Sequence, residues 1–188
     1  MDVLRAASYQ RVAWKNGGGV TDIVEAFRGE PSAWRISIAR IDRDGPFSDF
    51  SGYDRTIVPL SGGAITLVFA AGEERRLTPL APFSFPGEAA VDARLAGEPA
   101  SDLNVITLRA THRHEVAVIG IGENGVPIEA GDACGLLYVV EGIAGIAGET
   151  AGAGDAIRLD ADMRAIVEAR GGPVTAILVR ICAVPKPR

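Results

Sequence analysis

The chain has 188 residues, 47% of them hydrophobic and 23% charged, with a formal net charge of −5. That length buries a real core in one domain or two small fused ones, and the acidic balance excludes nucleic acid as a partner, because sequence-independent affinity for a phosphate backbone needs clustered Lys and Arg. Met1-Asp2-Val3-Leu4-Arg5 lacks the basic-then-apolar order of a signal peptide and no apolar run reaches the ~18 residues of a membrane span, so the chain reads as cytoplasmic with no membrane partner.

Helical periodicity is hard to find. Apolar segments are short, rich in Val and Ile, and broken about every 8–12 residues by Gly, Pro or Asp, which predicts an all-β sandwich or barrel. Residues 9–15 and 20–28 read as two strands joined through Gly17-Gly18-Gly19, with Lys15, Asn16 and Thr21 near the turn. Three glycines leave backbone N–H groups bare and free to adopt positive φ, which suits a tight turn or close approach to a ligand. Val20-Thr21 follows them, so they do not form a phosphate loop. In the next strand, Trp34–Ile41, strict alternation puts Trp34, Ile36 and Ile38 on one face and Arg35, Ser37 and Ala39 on the other. The first face is core. The second is either solvated or leaves room for something between a cation, a hydroxyl and a small residue.

A loop at Asp42–Pro46 leads into Phe47–Arg55, where three aromatics and two Asp fall within nine residues. Exposed rings are costly, so these are expected to cover the mouth of the core. Arg55 adjoins the buried run Thr56–Leu60 and needs a partner, which is Asp54 or Asp49 from within the chain or a carboxylate from outside it. Cys134 and Cys182 lie in or beside apolar runs and read as reduced core residues.

The second half repeats the first. Thr56–Gly62 resembles Leu136–Gly142, Ala81–Phe85 matches Ala153–Ile157, and Asn104–Arg109 matches Thr175–Arg180. Each copy runs strand, glycine turn, strand, Gly or Pro corner, strand, last strand, the order of a small antiparallel barrel or jelly roll. Tyr138–Gly142 with Gly154-Asp155 has the layout of a cupin strand pair, and two such halves predict a bicupin. The expected division is residues 1–110, carrying a ligand pocket, and residues 111–188, structural or at a subunit interface, the two forming one compact unit.

The only histidines, His112 and His114, alternate on a predicted strand beside Glu115, the most metal-like spacing in the chain. Metal-binding cupins carry their His-x-His in the glycine-flanked hairpin and add a third His later. Here the pair lies between the two copies and no third exists, so the reading is no metal and no cofactor. His112 and His114 stand at a barrel edge or interface, and would be the ligands if a metal were bound. No spacing supports a Ser-His-Asp or Cys-His set, and no catalytic residue is assigned.

Trp14-Lys15-Asn16-Gly17-Gly18-Gly19-x-Thr21-x-Ile23, Trp34–Ala39, Gly45-Pro46-Phe47-Ser48-x-Phe50-x-Gly52-x-Asp54-Arg55 and Asp102-Leu103-Asn104 together resemble the HutD/Ves family over most of the chain. The resemblance implies a bicupin fold and a small-molecule binding or regulatory protein rather than an established enzyme. It also implies a link to bacterial histidine utilisation, with urocanate or formiminoglutamate as the ligands of such a role. Both are carboxylates. A site for them needs an arginine fork, neutral donors and a wall of carbon, and Lys15, Asn16, Thr21, Arg35, Ser37 and Arg55 can supply that set. Two other readings compete: a cupin-type isomerase or hydrolase acting on a small carboxylate, and an interaction module regulating a catabolic enzyme. Exposed sheet edges that need covering make a homodimer the expected assembly.

Overall fold

The computed structural model describes residues 1–14, 17–27, 29 and 31–185. The Val- and Ile-rich runs form strands, and the only helical piece among the described residues is a short 3-10 turn at Ala6–Ser8. In chain order the strands are β1 (Asp2–Leu4), β2 (Gln10–Ala13), β3 (Gly19–Ala26), β4 (Trp34–Ile41), β5 (Gly45–Pro46), β6 (Tyr53–Gly62), β7 (Ile65–Phe69), β8 (Glu74–Arg76), β9 (Phe83–Pro86) and β10 (Val91–Leu95). They continue with β11 (Ala100–Leu108), β12 (His112–Ile121), β13 (Val126–Glu129), β14 (Cys134–Glu141), β15 (Ile143–Ile146), β16 (Glu149–Gly152), β17 (Ala156–Leu159), β18 (Arg164–Ala169) and β19 (Val174–Ala183). No helix among the described residues is long and apolar enough to cross a membrane.

The chain divides into a middle unit, residues 10–111, and a second unit built from residues 1–9 together with residues 112 onward. The expected first half thus gives up its first nine residues. β1 pairs antiparallel with β17, Val3 opposite Ile157, and Met1 and Val3 pack against the apolar core of the second unit. Asp155, at the predicted Gly-Asp corner, fastens the segment by accepting from the Ala6 N–H at 2.9 Å and from Arg5 at 2.8 Å.

The middle unit has a six-stranded sheet, β2-β3-β4-β11-β6-β9, and a four-stranded one, β5-β10-β7-β8. Ile41, Ile57, Phe85 and Ala100 of the first pack with Ile65, Leu67, Val91 and Ala93 of the second. The second unit has β1-β17-β14-β19-β12 and β13-β18-β15-β16. Each strand from β4 to β11 therefore has a counterpart eight strands later in the same sheet order, which is the repeat seen in the sequence. A register shift on the last strand fixes the alignment residue by residue: it falls between Ser101 and Asp102 on β11, and opposite Val139 and Glu141 of β14 in the second unit. Thr56 then matches Leu136 as the sequence predicts. Phe85 moves from Ile157 to Leu159, and Asn104 from Thr175 to Leu178, because the sequence match passes over loops of unequal length.

The triple glycine closes the β2–β3 hairpin. Gly17 has φ +65°, its N–H donates to the Trp14 carbonyl at 3.0 Å, and the Trp14 N–H donates to the Gly19 carbonyl at 3.0 Å. Gly19 is required for another reason: a Cβ there would lie 2.1 Å from the Arg40 carbonyl oxygen of β4, a backbone atom that cannot step aside. Gly19→Ala is expected to cost about 1–3 kcal/mol as overpacking, lowering the melting temperature by several degrees. Gly45→Ala, where a Cβ meets nothing within 4 Å, serves as the control in the same thermal melts and is expected to stay near wild type.

Candidate functional site

Antiparallel neighbours in register point to the same side of a sheet. In the six-stranded sheet this puts Thr21 and Ile23 of β3, Arg35, Ser37 and Ala39 of β4, Asp102 and Asn104 of β11, Arg55 of β6 and Phe85 of β9 on one face. That face looks into the interior of the middle unit. At one end the interior is plugged by the Ile41–Leu67 cluster. At the other it opens into a cavity of about 530 Å³ lined by Trp14, Thr21, Arg35, Ser37, Phe47, Phe50, Arg55 and Asn104 among others. The opposite face is buried as well, since Ile36, Leu103, Val105 and Val58 are fully covered. The Arg35–Ala39 face is therefore no solvated surface.

The aromatic loop is fixed by backbone hydrogen bonds. Phe47 donates to the Val91 carbonyl and Phe50 to the Gly87 carbonyl, each at 2.9 Å, while Gly87 is packed so closely that a Cβ would lie 2.4 Å from the Phe50 oxygen. The rings meet the two cations as the sequence predicts for the mouth of a core. The Arg55 guanidinium carbon lies 4.3 Å from the centroid of Phe47, 5.2 Å from Phe85 and 5.9 Å from Phe50. That of Arg35 lies 5.1 Å from Phe50. Such contacts are worth about 0.5–2 kcal/mol each and hold a planar cation where water is scarce. Trp14 sets its indole edge-on to Phe47 and donates from Nε1 to Thr21 Oγ1 at 2.8 Å, leaving the threonine hydroxyl proton available.

Behind Arg55 runs a buried polar relay. Its Nε and Nη2 donate to Asn104 Oδ1 at 2.9 and 2.6 Å, and Asn104 Nδ2 donates to Asp102 Oδ1. The acidic residues expected to pair with Arg55 are engaged elsewhere: Asp49 accepts from Ser51, and Asp54 holds Arg109 at 2.7 Å. Burial pulls the Arg55 guanidinium down to about 10, opposed by the Asp102 carboxylate, so it remains charged at neutral pH. Burial likewise lowers Arg35 and pushes the Asp102 carboxyl up to about 7, with Arg55 and Asn104 opposing that rise. Two buried polar atoms here, Arg35 Nε and Asp102 Oδ2, have no hydrogen-bond partner among the described residues. A buried donor left unmade is costly, and that of Arg35 belongs to a side chain lining the cavity.

Four of the six predicted ligand-binding residues, Thr21, Arg35, Ser37 and Arg55, line this one cavity. Lys15 and Asn16 lie outside the described residues. Asn104 and Asp102 were not assigned to the site from sequence, although Asp102-Leu103-Asn104 carried the signal: two polar residues on one face of a strand whose other face, Leu103 and Val105, is apolar. His112 and His114 occupy alternate positions on β12 of the second unit, both partly buried, and neither is among the residues that line the cavity. Among the described residues no group of three or more His, Cys, Asp or Glu is placed to hold a metal ion. The second unit has a more open depression lined by Pro127, Glu129, Arg164, Ile166 and Arg180, whose cations are engaged by the Glu129 carboxylate and carbonyl.

Comparison with known proteins bears on the fold and the family. An uncharacterised 21.2 kDa protein in the hutC 3′ region of Pseudomonas putida is 40% identical over 109 residues, 56% of this chain and 57% of that protein. The chain spans a little over half the length of the curated relatives it matches, proteins named Ves among them. The structure of HutD from Pseudomonas fluorescens SBW25, in a formate condition, superposes with a TM-score of 0.87 at 29% identity, covering 98% of this chain and 99% of that one. A cupin 2 conserved barrel domain protein from Leptotrichia buccalis shares the fold at a TM-score of 0.61 and 11% identity, over 90% of this chain and 92% of that one. The HutD family model matches residues 6–177, and the chain belongs to the HutD family.

Proposed function

We propose that this protein is a cytoplasmic bicupin that binds a small carboxylate in the cavity of its middle unit and acts in the regulation of histidine utilisation. The observation that carries the reading is the cation pair at the cavity wall. Arg35 and Arg55 stand over aromatic rings, and the Arg35 Nε–H is buried with no partner in the described chain. The Arg35 side chain lines the cavity, and a carboxylate there would meet a planar guanidinium fork that matches it geometrically. The Ser37 and Thr21 hydroxyls provide neutral donors, and Phe47, Phe50 and Trp14 provide apolar wall. The hutC-region relative and the HutD structure support the link to histidine utilisation. Urocanate and formiminoglutamate are the first ligands to test.

A thermal-shift screen of the purified chain against urocanate, formiminoglutamate, formylglutamate, glutamate, histidine and formate, with and without chelator, tests this directly. A ligand at 100 times its dissociation constant stabilises by about 2.7 kcal/mol, and a shift with a carboxylate that chelator does not alter is expected. Silence towards all six would overturn the reading. Arg35→Ala removes charge-assisted hydrogen bonds worth about 1.5–3 kcal/mol. It is therefore expected to weaken binding by roughly one to two orders of magnitude while circular dichroism stays that of the parent.

The chain has two tryptophans, Trp14 at the cavity and Trp34 buried on the other face of the sheet. In a Trp34→Phe variant, carboxylate titration should change the remaining emission saturably. An unchanged spectrum under conditions where calorimetry detects binding would place the ligand elsewhere.

A further inference from the structure

Asp102 lies just beneath the cavity wall, joined to it by a single amide. Its carboxyl is wholly buried, one oxygen accepts from Asn104, and the other has no partner among the described residues. Its cross-strand neighbours, Ala39 of β4 and Pro59 of β6, are uncharged. The charged groups on its face of the sheet are Arg55 of β6, reached through Asn104, and Arg35 of β4. The side chains that the four-stranded sheet buries in the same interior, Ile65, Leu67, Val91 and Ala93, are apolar, and Arg75 of β8, on the side of Leu67, stands over Phe83 with its charge exposed and paired with Glu73. The charge on Asp102 is thus offset by Arg55, a side chain that also lines the cavity.

Resting on the carboxylate-site reading above, we propose that anion binding in this cavity is coupled to proton uptake by Asp102, which positions Arg55 through Asn104 and sets the net charge the site offers. With Asp102 ionised, the two arginines leave one net positive charge. With it protonated, they leave two. A ligand carboxylate at Arg55 draws the guanidinium's field away from Asp102 and adds a second negative charge nearby, in surroundings where water screens little. The carboxylate relieves this by taking one proton from solvent to become a neutral carboxyl. Burial already holds the free group near neutrality, at about 7, so the step is accessible under ordinary conditions.

The sign follows from linkage. Above the midpoint of the free site, the loaded protein binds more protons than the empty one, so affinity falls as pH rises through about 7 and is level below it. Formate and fumarate suit the test, because both stay fully ionised over the range used. Calorimetric titration of the wild-type chain with each, in HEPES and in Tris, counts the protons taken up per anion. The expected result is roughly half to three quarters of a proton near pH 7.5, with affinity declining about tenfold between pH 6 and 8.5. Asp102→Asn should bind both anions with neither proton uptake nor pH dependence. Should that variant fail to fold, growth of the infrared band of a protonated carboxyl when anion is added to wild type at pH 8 answers the same question. Binding without net proton uptake and with affinity level across the range, or uptake that persists in Asp102→Asn, overturns the proposal and leaves the carboxylate site standing. Binding of neither anion at any pH, together with silence towards all six compounds of the thermal-shift screen, overturns both.

Discussion

A guanidinium almost wholly removed from water, that of Arg55, is the constraint around which the middle unit is arranged. Only 6% of the residue is exposed, and burying such a charge unpaired would cost several kcal/mol. The fold offsets that cost by stacking three phenylalanines around the cation and by letting one amide oxygen accept from two of its nitrogens. Asn104 meets that demand only because Asp102 takes its other end, so a buried acid two residues away on the same strand governs the geometry of the cavity wall. Arg35 is held differently: its guanidinium lies over Phe50, and its Nε has no hydrogen-bond partner among the described residues. The cavity wall thus has a satisfied arginine beside one whose buried Nε makes no hydrogen bond among the described residues.

Much of this was legible in the chain. Strand alternation in Trp34–Ile41 puts Arg35 and Ser37 on one face, and the structure keeps them there. The rings of Phe47 and Phe50 read as a cover and line the cavity. What could not be read was the partner of Arg55. Asp54 and Asp49 are near in sequence, but an adjacent strand residue points to the opposite side of the sheet, and Asp54 turns away to Arg109. Asn104 is nearly fifty residues distant and becomes a neighbour only through the β11–β6 pairing, which no local pattern specifies. The first nine residues were misplaced for a related reason. β1 has no local partner, and its hydrogen bonds are met by β17, far along the chain.

The repeat shows why one unit has a polar-lined cavity where the other is packed with apolar side chains. When the register shifts are aligned, Asp102 corresponds to Ala176, Asn104 to Leu178, Ser37 to Ala117 and Arg55 to Gly135. The second unit keeps the sheet order and exchanges the polar relay for packing. At Gly135 even a methyl group has no room, since a Cβ there would lie 2.7 Å from that of Ala130. All the buried polar and charged side chains found among the described residues, Ser37, Arg55, Thr56, Asp102, Asn104 and Thr107, belong to the middle unit. Two copies of one topology thus divide the work. In one the interior is filled by buried side chains such as Leu137, Val139, Ile157 and Leu178, and in the other part of that volume is left open at the cost of desolvating a charge.

The middle unit also has a strand pair, β2 and β3, outside β4, where β12 of the second unit ends its sheet among the described residues. That pair brings Thr21 and Ile23 to the cavity wall and carries the hairpin whose Trp14 packs on Phe47. The hairpin can lie so close to β4 because Gly19 has no side chain to strike the Arg40 carbonyl. A glycine turn that looked at first like a candidate ligand loop therefore acts through backbone contact, by letting a strand approach and wall in the arginines. Steric permission at one backbone position thus decides whether the Arg35 face is walled by the β2–β3 pair or left as an open sheet edge.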